Sequence, residues 1–109
     1  MRITSIEVTP SLGRENRNWT LMRIQTDEGI TGLGEWRAGA SVDGLRRALV
    51  GKDPTNINQL HHDHLWRMQG MGAGVEIALW DIKGKALGVP MPALLGGKLR
   101  DRIRMYCDC

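Results

Sequence analysis

The sequence predicts an α+β domain: a three-stranded antiparallel β-meander followed by a helical bundle. Two observations carry this. Up to Trp36 the apolar residues alternate with polar ones, whereas from residue 41 they recur at about the 3.6-residue helical period. Gly and Pro punctuate the chain mostly between these segments. At 109 residues the chain can build one domain with a modest core.

In RITSIEVTP, Ile6 and Val8 flank Glu7 and Pro10 ends the run, as expected of a first strand. The polar stretch SLGRENRN leads to WTLMRIQT, a second strand. DEG at Asp27 to Gly29 supplies the hairpin loop, Gly29 offering the positive φ it needs. ITGLGEW returns as the third strand, and Gly32 and Gly34 within it point to a close backbone approach or a bulge. Ser41 is the expected N-cap of a first helix, with Val42, Leu45, Ala48 and Leu49 on one stripe and Gly51 closing it. KDPTN punctuates before a second helix over 55–68. After QGMGAG a third helix is expected over 74–87. There Val75, Ala78, Leu79, Ile82 and Ala86 share a face that Ile77 and Trp80 widen, which implies burial on more than one side. Gly88 and Pro90 stop it, and MPALLGG is a short helical turn. RIRMYCDC alternates as a strand and stops in mid-pattern, so a continuing chain is expected.

Composition excludes several classes. Hydrophobic residues are 41% and charged residues 25%, too apolar for a disordered chain. With four Trp, one Tyr and no Phe, the six Met and the aliphatic residues must fill the interior. Fifteen basic against twelve acidic residues give a formal charge of +3, too weak an imbalance to argue nucleic acid. The densest basic run, KLRDRIR, reads as the solvated face of a strand ahead of a phosphate patch. Neither a signal h-region nor a run of about 18 apolar residues occurs, so a cytoplasmic protein without membrane contact is expected. Cys107 and Cys109 read as reduced thiols.

All three histidines fall in LHHDHLW. On a regular helix His61 and His64 lie in the arc of Ile57, Leu60, Met68 and Met71, while His62 and Asp63 point away. Asp63 is therefore badly placed to complete a tetrahedral metal site, and histidines packed with satisfied ring nitrogens are the better reading. GxSxG, P-loop, HExxH and CxxC motifs do not occur. Glu35, at the end of the third strand, reads as structural rather than as an acid or base. In GRENRNW, Arg14 and Arg17 could clamp a carboxylate, Asn16 and Asn18 could bind hydroxyls, and Trp19 could exclude water. A solvated loop with Trp19 anchoring the sheet fits the same residues.

The segment EIALWDIKGKALGVPMPALLGG, residues 76–97, carries the most specific pattern. Glu76, Ala78, Leu79, Trp80, Asp81, Ile82, Gly84, Lys85, Gly88, Pro90, Leu94, Leu95, Gly96 and Gly97 closely resemble the signature of the mandelate racemase and muconate lactonizing enzyme family, within the enolase superfamily. TDEGITGLGE and VGKDPTNI are similar to the hairpin and inter-helix turn of that family's N-terminal capping domain. The wording is nearest to sugar-acid dehydratases of the galactonate type.

The resemblance implies an enolase-superfamily N-terminal domain over residues 1–98, with 99–109 beginning a TIM barrel that the chain does not contain. It implies proton abstraction α to a carboxylate and Mg²⁺ stabilising the enediolate. Base and metal ligands belong to the barrel, so no catalytic residue and no metal site is expected in these 109 residues, and the chain alone is expected to be inactive. Its implied partners are its own barrel, an acid sugar or other carboxylate, and further copies in a homo-oligomer. Two cap loops would fold over the barrel mouth, raising Arg14, Asn16, Arg17, Trp19, Trp36 and Arg37 as substrate-facing residues. The connection QGMGAG is shorter than the resemblance calls for, which implies a more open site, and Met71 replaces a small residue, which implies a slightly different helix entry. A free-standing module that binds or self-associates through the third helix is the alternative.

Overall fold

The computed structural model describes residues 1–11, 19–38, 40–68 and 70–106. Three strands, β1 (Ile3–Ser11), β2 (Trp19–Thr26) and β3 (Thr31–Trp36), form an antiparallel meander in the order β1-β2-β3. The helices are α1 (Asp43–Leu49), α2 (Ile57–Leu60, running on through a π turn at His61–Leu65), α3 (Met71–Leu87) and the short α4 (Met91–Leu94).

The strand alternation sorts the sheet into two faces. Ile6, Met22, Ile24 and Trp36 are buried on the helix side, while Leu21, Arg23, Leu33 and Glu35 face outward. A register shift between Ile3 and Ser5 turns Ile3 inward as well, so it joins the core three residues before Ile6. α1 adds Leu45 and Leu49, α2 and its π turn add Ile57, Leu60 and Leu65, and α3 adds Val75, Ala78, Leu79 and Ile82.

α3 lies unusually close to β3. A Cβ on Gly32 would collide with the carbonyl oxygen of Ala78, one on Gly34 with that of Gly74, and one on Gly74 with that of Glu35. These glycines let two backbones touch, so the approach read from Gly32 and Gly34 is a helix packed onto a strand rather than a bulge. α3 ends in a Schellman arrangement: Gly88 has φ 67°, its N–H donates to the Lys85 carbonyl, and the Val89 N–H donates to that of Gly84.

Four expectations are corrected. The second helix is not uniformly α. The Trp66 N–H donates to the His61 carbonyl five residues back, and this wide turn puts Leu65 in the core and His64 at its margin. α3 starts at Met71, three residues before the predicted start, after Gly70 at φ 89°. α1 starts at Asp43, with the Ser41 hydroxyl accepting the Asp43 N–H at 3.3 Å. Residues 102–106 form no strand, because nothing in the described chain offers them a ladder partner, and Ile103, Met105 and Tyr106 stand exposed. Cys107 and Cys109 lie outside the described residues.

Candidate functional site

The sheet register decides where the polar loops sit. Ser11 pairs with Trp19 and Thr20 with Trp36, so the end of β1, the start of β2 and the end of β3 share one end of the sheet. Ser11 and Trp19, which flank 12–18, therefore lie at the same end as the turn after Trp36. Arg14, Asn16 and Arg17 lie outside the described residues; Trp19, at the base of that segment, is exposed.

At this end the start of α3 meets the end of β3 and leaves a cleft of about 420 Å³. Glu35, Trp36 and Arg37 form one wall, and Met71, Gly74 and Ile77 the other. Glu35 and Arg37 are exposed, so an acid and a base stand two residues apart on the rim. Trp36 is placed differently. Its ring is 4% exposed and its indole N–H donates to the Ala40 carbonyl at 3.1 Å, so it gives the cleft an edge while its polar atom is engaged within the turn. Met71 and Ile77 line this cleft without a polar or charged group that would single them out in the sequence. The signal for Ile77 was present in the apolar arc of α3, which is wider than the core requires: Ile77 remains 52% exposed.

His61, His62 and Asp63 line a larger groove of about 630 Å³, with Trp66 and Arg67. Its polar groups are turned on one another. His61 Nδ1 lies 2.9 Å from Glu76 Oε2, His62 Nδ1 lies 3.0 Å from Asp63 Oδ1, and the Arg67 guanidinium sits 4.9 Å from the centre of the Trp66 ring. The His62 hydrogen bond, followed by that of Gln59, holds the Asp63 carboxyl below its ordinary value. Among the described residues no three His, Cys, Asp or Glu side chains converge to hold a metal ion. None of the described helices is long and apolar enough to cross a membrane.

These features define a small α+β domain with a cleft at one end of an open sheet. The chain belongs to the mandelate racemase / muconate lactonizing enzyme, N-terminal domain family, which matches residues 8–96. It is 39% identical to a D-xylonate dehydratase of Haloferax volcanii over 97% of this chain and 29% of that protein. It is 45% identical to a D-galactonate dehydratase of Variovorax paradoxus over 81% of this chain and 27% of that protein. Among solved structures it superposes on an enolase-superfamily member from Salmonella Typhimurium with TM-score 0.73 and 35% identity, covering 96% of this chain and 32% of that one. It also superposes on a muconate lactonizing enzyme with TM-score 0.77 and 27% identity, covering 93% and 34%. The chain thus spans about 30% of the length of the curated relatives it matches.

Proposed function

We propose that this chain is the substrate-selecting cap of an acid-sugar dehydratase or related racemase of the enolase superfamily. The observation that carries the reading is that Ser11, Trp19, the Trp36 turn and the start of α3 meet at one end of the sheet, beside a cleft rimmed by Glu35 and Arg37. Its dehydratase relatives support the substrate class.

In this reading residues 1–98 are the cap and 99–109 lead into a barrel, where the base abstracts the proton α to the carboxylate. Mg²⁺ supplies charge stabilisation to that chemistry. Among the described residues of this chain no three His, Cys, Asp or Glu side chains converge to hold such an ion. What the cap contributes is contact with the distal part of the substrate and exclusion of water. Arg14, Asn16, Arg17, Trp19 and Arg37 are its proposed substrate-facing set; Trp36, expected among them from the sequence, is buried with its indole N–H given to the Ala40 carbonyl and supports Arg37 from behind. A guanidinium fits a carboxylate or a row of hydroxyls, and an indole shields them. Alone the chain is inactive; the complete protein is a cytoplasmic homo-oligomer.

The test is Arg37→Met in the full-length enzyme, which keeps the stem and removes the charge. The loss of one charge-assisted hydrogen bond, about 1.5–3 kcal/mol, predicts kcat/KM for D-galactonate lower by roughly tenfold to hundredfold. An unchanged kcat/KM would remove Arg37 from the set.

A further inference from the structure

We infer that Trp36 is a positioning residue: its buried indole fixes the turn that presents Arg37 to the cleft. Two hydrogen bonds close this turn. The Trp36 indole N–H donates to the Ala40 carbonyl at 3.1 Å, and the Ala40 N–H donates to the Arg37 carbonyl at 3.1 Å. Ala40 is thus held from the core on its carbonyl side and holds the Arg37 backbone on its amide side.

The anchor itself is rigid. Trp36 ends β3 opposite Thr20, which is also buried, and it belongs to the buried hydrophobic core. Opening the turn would leave an indole N–H unpaired in an apolar interior, so the turn's shape is tied to core packing. Arg37 is exposed, and among the described residues no ion pair engages it. The consequence is a fixed backbone position for Arg37 on the cleft rim, so that only its side chain has to be ordered on binding. What Arg37 binds, a carboxylate or hydroxylated acid, rests on the proposed function; the latch does not.

Amide exchange on the 109-residue chain tests the latch. The Ala40 amide should be protected, and Trp36→Phe, which keeps an aromatic ring and removes the donor, should speed its exchange about tenfold while the Ile24 and Leu79 amides stay within about twofold. An Ala40 amide exchanging at the free-peptide rate in the unsubstituted chain would overturn the latch, whether or not the variant folds. In the full-length enzyme, Trp36→Phe should raise KM for D-galactonate about fivefold with kcat changed less than about twofold. A loosened turn with unchanged KM would overturn the positioning role. An unsubstituted enzyme without turnover of any acid sugar would instead overturn the proposed function and leave the exchange result standing.

Discussion

The Asp81 carboxylate accepts the backbone N–H of Leu33 at 3.0 Å, joining the third helix to the outer edge of the third strand. The Lys85 ammonium completes the clamp, donating to the same Asp81 oxygen at 2.7 Å and to the Thr31 carbonyl at 2.6 Å. One helical turn thereby caps a donor and an acceptor that an edge strand would otherwise offer to another chain. The opposite edge is blunted too: the Arg46 guanidinium donates to the Ile6 carbonyl, and Pro10 stands near the strand end.

Asp81→Ala leaves the Leu33 N–H to solvent and Lys85 without its carboxylate. Because both side chains are partly exposed, the expected cost is about 1–2 kcal/mol in urea unfolding. A midpoint unchanged by the substitution would show that the clamp contributes nothing.

Two glycine substitutions should move stability in opposite directions. Gly74→Ala drives a methyl into the Glu35 carbonyl and should destabilise by about 1–3 kcal/mol or more. Gly44, inside the first helix with open space around its Cα, should gain about 0.5–1 kcal/mol on conversion to Ala. Equal midpoints for the two variants would contradict the close approach of α3 to β3.

Stability should fall in acid partly through Asp53. The Thr55 backbone N–H and then its hydroxyl hold this carboxyl below its ordinary value. A folded pKa below the unfolded one contributes stability that is present above the unfolded value of 3.8 and is lost as pH falls through the folded value. Asp53→Asn should therefore narrow the stability difference between pH 6 and pH 3, roughly the span that brackets the carboxylate range. A difference as wide as that of the unsubstituted chain would assign the acid sensitivity elsewhere.

Removal of metal should leave the fold untouched. His61 is taken by Glu76 and His62 by Asp63, so the histidine groove has no convergent ligand set among the described residues. Excess EDTA is expected to leave Tm where it was; a melt that depends on added Zn²⁺ would overturn this.

How far the sequence reached depends on the kind of signal. Alternation about Ile24 and the helical stripe about Leu79 report burial directly, so strands, helices and core were legible. Gly32 and Gly34 announced a close approach but not its partner, since Gly74 and Ala78 come together with them only through the fold. The π turn was illegible because a fixed angle per residue cannot show where one extra residue enters a turn; His61, which that angle sets in the arc of Ile57 and Leu60, is exposed and paired with Glu76, while His64 is half-buried. Trp36 illustrates the limit at the site. An indole reads equally as a substrate shield or a core anchor, and only the 3.1 Å bond to Ala40 shows where its polar atom goes. Asp81 and Lys85 carried a signal of their own, an acid and a base four residues apart on a helix, but the strand they clamp is distant in sequence.

The central claim is that this chain selects substrate and does not transform it. The most direct measurement is D-galactonate dehydration with Mg²⁺ by the purified 109-residue chain, beside the same cap joined to its barrel. The expected result is turnover by the joined protein and none above the buffer blank by the chain alone; turnover by the chain alone would contradict the account.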